Sequence, residues 1–258
     1  MAIQRALVLA YDSGTMNTKL LNLVTGKFLT MHKTSFHSAL PGLPPVVNTV
    51  VELVVDENRN NYPVLFRDFR SQDLATPQYG EGQTLYPGDD PMVLGPVIFL
   101  AGPIQGAPEW HDKAITWIRS RPDLTHVTIA TPRSVGDHPR PSFEQQVDWE
   151  SRWLNRAAHF GVVMFWLAKE SVRHPDRAYA QTSRWELSEW KERLSGPKDP
   201  LVVGVEEGFY GARYMKYRLS QSHQHMAVYP SLVYTLAATA RYITSRWPKV
   251  GVVSSAGA

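Results

Sequence analysis

The stretch Gln181–Trp190 reads "QTSRWELSEW" and sets one carboxylate, Glu186, between Trp185 and Trp190 where the first turns of a helix are expected. Two readings fit it. In the structural one, Thr182 or Ser183 caps the helix, Glu186 favours the positive end of the dipole, and the indoles pack into the core. In the chemical one, Glu186 stands at a helix N-terminus because a substrate stands there too. A second acidic group lies in "QVDWE", where Asp148 and Glu150 fall on different sides of a helix, so at most one of them faces a given pocket. Trp149 and Trp153 flank them, and the structural alternative is an amphipathic helix with solvent-facing charges and buried tryptophans. Arg184 is a candidate partner for a carboxylate or a phosphate, surface salt-bridging being the default. Gly102, with Pro103 and Ile104 after it, ends the apolar run "VIFLA"; a glycine there either lets a ligand approach the backbone or simply permits a tight turn. The histidines, His223 and His225 included, show no metal-ligand spacing on a single expected element, so neither a metal nor a cofactor is expected.

These residues need a scaffold, and the chain changes character near residue 95. After it, apolar runs alternate with helical patterns. "VIFLAGP" is followed by a helix over Glu109–Ser120, "HVTIATP" by a helix from about Ser142 to His159, and "GVVMFWLA" by the helix holding Glu186. "LVVGV" then precedes a helix around Arg213–Ser220, and "MAVYP" a last helix near Leu232–Ser245. Five strands with crossover helices predict an α/β, three-layer domain with a five-stranded parallel sheet of the Rossmann or flavodoxin-like kind. Ligands of such sheets bind beyond the carboxyl ends of the strands, where strand order reverses. That edge should collect Gly102, Pro103 and Ile104, Pro132 and Arg133, Ala168 and Lys169, and Glu206 and Glu207, with Glu186 on a helix whose N-terminus faces it.

Before residue 95 the short apolar segments "RALVLAY", "TKLLNLV", "NTVVELVV" and "YPVLFRDF" are broken by Gly, Pro and Asn, which predicts a small β-rich module over 1–69. Within it "NLVTGKF" reads as a hairpin turning at Thr25-Gly26. Residues 70–95, rich in Gly, Pro and Asp, read as a linker or covering loop. The α/β domain is expected over 96–245 and a tail over 246–258.

Composition narrows the partners. The 258 residues are 43% apolar, contain no cysteine, and carry a net charge of +3. An ordinary buried core is expected, without disulfides or thiolate chemistry, in a cytoplasmic protein. The longest apolar run is too short to span a membrane, and the N-terminal "ALVLAY" too brief for a signal peptide. Basic residues are scattered and not striped, which argues against nucleic acid and leaves a phosphate-bearing small ligand open.

Five blocks, in order, resemble the nucleoside 2-deoxyribosyltransferase-like family: "IFLAGPI" (98–104), "QQVDWESRWLNRA" (145–157), "VVMFWLAKE" (162–170), "AQTSRWELSEW" (180–190) and "VVGVEEGFYGARYMKYRL" (202–219). The resemblance covers about residues 96–245. It implies a (deoxy)nucleoside or nucleotide and a free nucleobase as partners, with Glu186 attacking the anomeric carbon and another base, or water, taking the sugar. An oxocarbenium-like transition state independently asks for such a carboxylate, which both attracts the cation and traps it. The resemblance further favours Glu150, or its neighbour Asp148 or Trp149, near the sugar or base. It places Gly102, Pro103, Ile104, Arg184 and Trp185 about the substrate and implies a homo-oligomer. Many members carry an aspartate just before the third strand. This chain has His159-Phe160-Gly161 there, which makes His159 a candidate proton donor to the base.

Overall fold

A computed structural model describes residues 2–22, 25, 27–32, 35–37, 50–56, 62–67, 80–91, 93, 95–134, 141–197 and 199–249. The chain divides into two compact units, one of residues 1–79, 91–94 and 250–258, the other of residues 80–90 and 95–249.

The first unit is a six-stranded sheet. Its strands are β1 (Ala2–Asp12), β2 (Asn17–Asn22), β3 (Phe28–His32), β4 (Phe36–His37), β5 (Val50–Asp56) and β6 (Tyr62–Arg67), in the spatial order β3-β2-β1-β5-β6-β4. All pairings are antiparallel except the short β4–β6 contact. Alternation builds its core: Ala6 and Val8, Leu20, and Val51, Leu53 and Val55 are fully buried on one face, with Met31 beside them. The β1–β2 turn is tied by Asp12, whose Oδ1 accepts from the Gly14 amide at 2.8 Å. The expected hairpin is β2–β3, with the Asn22 amide donating to the Lys27 carbonyl at 2.9 Å; Gly26 lies outside the described residues.

The second unit carries a parallel sheet of six strands, one more than expected: β7 (Thr84–Leu85), β8 (Val97–Ala101), β9 (Thr128–Ala130), β10 (Gly161–Leu167), β11 (Leu201–Val205) and β12 (Val228–Tyr229). The order is β12-β11-β10-β8-β9-β7. The extra strand comes from residues 80–90, expected within the linker; the Thr84–Leu85 segment pairs with the outer edge of β9, too short to leave an apolar pattern. Every residue of β8, β9, β10 and β11 is buried, as strands covered on both faces must be.

Five helices cover this sheet: α1 (Trp110–Arg119), α2 (Phe143–His159), α3 (Gln181–Arg193), α4 (Ala212–Ser222) and α5 (Leu232–Arg246). α2 packs on β8 and β10, while α5 packs on β10, β11 and α1. Right-handed crossovers put α3 on the face of α2, opposite α1 and α5. α2 starts in a capping box, the Ser142 Oγ accepting from the Gln145 amide while the Gln145 Oε1 accepts from the Ser142 amide, a motif worth on the order of 1 kcal/mol. The chain runs from β8 outward to β9 and returns past β8 to β10, so strand order reverses between β8 and β10. Among the described residues no helix is long and apolar enough to cross a membrane.

Candidate active site

α2 buries Trp149, Trp153, Leu154 and Ala157, and the helical repeat puts Gln146 and Glu150 at the margin of that stripe. α3 buries Ser183, Leu187 and Trp190, and Glu186 borders that stripe one turn below Trp190. Two neighbouring helices thus turn one carboxylate each toward the same dry margin. Glu150 accepts from the Gln146 Nε2 at 2.8 Å. Burial holds its carboxyl above the ordinary range, and the Gln146 bond offsets part of that rise. Glu186 is pushed up to about 7, first by burial, then by the charge of Glu150, then by that of Glu189. Near neutral pH Glu186 therefore still holds its proton in part, beside the charge of Glu150.

The structure corrects two expectations about Glu186. The N-cap of α3 is Ala180, in a left-handed conformation with φ 55° and no side-chain cap bond, so neither Thr182 nor Ser183 caps the helix. Glu186 sits in the second turn, beyond the reach of the dipole, and is not kept ionised by it. Its environment raises its affinity for a proton. Of the two acids in "QVDWE", Asp148 is exposed and Glu150 turns inward.

The remaining predicted residues divide between support and surface. Trp149 is 3% exposed, donates its Nε1–H to the Asp89 carbonyl at 2.8 Å, and lies among Phe99 and Trp153. It packs beneath the Glu150 turn. Pro103 is buried, with its carbonyl accepting from the Trp110 Nε1 at 2.8 Å, and Ile104 is exposed. At Gly102, φ is 148°, and a Cβ would stand 2.2 Å from the Trp166 carbonyl oxygen and 2.9 Å from the Trp110 ring. Turning and close packing against β10 therefore account for this glycine. Arg184 donates through Nη2 to the Tyr210 carbonyl at 2.9 Å, and its guanidinium lies over the Phe209 ring at 5.0 Å, tying α3 to the loop after β11. Trp185 is 76% exposed and touches neither core nor carboxylate pair, whereas Trp190, at 4%, is core. His159 ends α2 at the start of β10, on the opposite edge of the sheet from the strand ends, and its Nδ1 bonds the Asn155 carbonyl oxygen. It cannot serve a base held beyond the carboxyl ends.

Two loops meet over the point where strand order reverses. The Gly106 carbonyl, after β8, accepts from the amides of Ser171 and Val172, after β10, at 2.8 and 3.1 Å, and from the Ser171 hydroxyl at 3.1 Å. Tyr179 closes the second loop by donating its hydroxyl to the Ala168 carbonyl at 2.7 Å. Sequence reasoning missed Gln146 and Tyr179. Gln146 was within reach, since a glutamine four residues before a glutamate shares its helix face; nothing in the sequence signalled Tyr179. Among the described residues no group of three or more His, Asp or Glu side chains gathers to hold a metal ion. A scan against family models and a search of curated proteins found no match to this chain.

Proposed function

We propose that the chain cleaves the N-glycosidic bond of a (deoxy)nucleoside through Glu186 and transfers the sugar to another base. One observation carries this reading: two carboxyls from different helices, drawn out of water at one margin, with the charge of one raising the proton affinity of the other. Two half-buried carboxyls side by side are costly to stability, and they supply a nucleophile and a neighbouring base. Ionised Glu186 attacks the anomeric carbon as the C–N bond breaks, and the departing base nitrogen takes the bonding pair and a proton from water; the charge of Glu150 raises the proton affinity of Glu186, so this ionised form grows as pH rises through about 7. A second base then attacks the same carbon, giving its N–H proton to Glu150 and releasing Glu186. The ordered five-block resemblance to the nucleoside 2-deoxyribosyltransferase-like family supports the same assignment.

The test is direct. Incubation with deoxyinosine and adenine should yield deoxyadenosine. Free hypoxanthine without deoxyadenosine would replace transfer by hydrolysis, with water as acceptor. No reaction on deoxynucleosides, ribonucleosides or their 5′-phosphates would overturn the reading. Assembly into a homo-oligomer belongs to it as well, supported by Trp185, Tyr210, Tyr214 and Tyr217, which expose 76%, 81%, 69% and 62% of their surface on α3, α4 and the turn before it. A monomer in light scattering at working concentration would remove that part.

A further inference from the structure

The opposite face of the parallel sheet holds a cavity of about 700 Å³ between α1 and α5, at the carboxyl ends of β10, β11 and β12. Its volume falls in the range of small-molecule sites, roughly 300–1,000 Å³. Trp110, Lys113 and Trp117 reach it from successive turns of α1, and Trp166 and Lys169 from the end of β10. Glu206 and Glu207 follow β11, and Ser231, Leu232 and Val233 open α5. None of these belongs to the carboxylate pair.

The cavity is rich in donors without acceptors. Trp166 is 3% exposed, and among the described residues its indole N–H has no acceptor. Its Cε3 and Cζ3 edge is packed over Gly204, so the nitrogen lies on the other side of the ring system. The nitrogen itself keeps accessible surface and is open to an acceptor. The ammonium groups of Lys113 and Lys169 form no ion pair among the described residues. At the start of α5, Ser231 caps through its hydroxyl the Tyr234 amide, at 3.3 Å, which leaves the Leu232 and Val233 amides with no carbonyl of their own helix to bond. The two amides of the α5 N-terminus, two ammonium groups and an indole N–H converge on one kind of complement, an anion with several oxygens. Two acceptors balance this set: Glu206, one of whose oxygens already takes the Lys169 amide at 2.8 Å, and Glu207. They suit hydroxyl donors. Trp117, half-buried at the wall, offers a flat apolar face.

We infer that this cavity is a second ligand site, separate from the carboxylate pair, and that it takes a phosphate ester carrying hydroxyls and a planar ring, the chemical class of a nucleoside monophosphate. The phosphate meets the α5 N-terminus and the two lysines, the hydroxyls meet Glu206 and Glu207, and the ring lies on Trp117 and accepts from Trp166.

Calorimetric titration of the full chain with adenosine 5′-monophosphate tests it, with adenosine and inorganic phosphate as separate probes. The monophosphate should bind more tightly than either. The Lys113→Ala, Lys169→Ala double variant should weaken it at least tenfold by removing two charge-assisted contacts, while adenosine binding changes little. Trp166→Phe, which keeps a ring and removes the donor, should weaken the monophosphate several-fold. Glu186→Gln and Glu150→Gln should leave this binding unchanged, which separates the inference from the catalytic reading. Absence of binding at millimolar monophosphate would overturn it. So would binding that Glu186→Gln abolishes and the lysine double variant spares, or an affinity for adenosine equal to that for the monophosphate.

Discussion

On the face carrying α2 and α3, two acids are drawn out of water with one glutamine amide to answer them, and both hold their protons more tightly than free carboxyls do. On the face carrying α1 and α5, the polar groups are mostly donors and stand around open space. The first arrangement brings two half-buried carboxyls together, an electrostatic cost to the folded state. The second holds no like-charge pair out of water, because its charges remain wetted until a ligand arrives. One sheet thus presents a carboxylate pair on one side and an open cavity on the other, and the two faces should respond differently to substitution and to pH.

The largest effect should come from Glu186→Gln. It keeps the shape of the side chain and removes the attacking charge, so single-turnover glycosidic cleavage should fall by several orders of magnitude with an unchanged circular dichroism spectrum. A folded variant with near wild-type turnover would leave the face without its nucleophile. Next in size is Glu150→Gln. Loss of the acceptor for the incoming base's N–H proton should lower kcat for transfer by about 10²–10⁴. It also removes the second-largest cause of the raised affinity of Glu186 for its proton. The wild-type kcat/KM should therefore rise with pH through about 7, as Glu186 ionises, and that limb should move to lower pH in the variant. An unmoved limb would mean that the two carboxyls do not sense each other.

A smaller effect concerns stability, and its sign is opposite to that on activity. Glu186 binds its proton more tightly in the folded chain, near 7, than at its ordinary value of 4.5, so the native state loses stability as pH climbs between those values. Glu186→Gln should leave stability nearly unchanged at about pH 4 and raise it by up to roughly 3 kcal/mol at about pH 8, read from urea midpoints. Equal gains at both pH values would assign the effect to packing. The smallest effect belongs to Trp185→Ala. With three quarters of its surface in solvent, this side chain should contribute within about 0.5 kcal/mol to the stability of the isolated chain. A larger loss that depends on protein concentration would show that another copy covers it.

Legibility differed from element to element. β8, β10 and β11 lay in the open as unbroken apolar runs, because a strand covered on both faces has no polar side to show. The helices came within a few residues of their ends, α2 being expected from about Ser142 and α5 from near Leu232. β7 escaped, since two residues on an outer edge make no pattern. Around Glu186 the neighbouring tryptophans looked alike in sequence, yet Trp190 is core and Trp185 is solvent, because five residues along a helix carry a side chain roughly 140° around its axis. His159 seemed eligible by its place beside a strand; the direction of that strand disqualified it.

The sequence by itself determined where the central strands and the five helices form and that at most one of Asp148 and Glu150 faces a given pocket, since both follow from periodicity along a single element, while the structure decided that Glu150 is the inward one. Tertiary structure decided what stands opposite each face. Glu150 meets Glu186, and α1 meets α5 across a cavity, because the chain runs out to β9 and back past β8 before laying down β10. That order is set by pairings between strands distant in sequence, each stabilised only by the buried surface of its neighbours, and no local pattern records which neighbour will supply it.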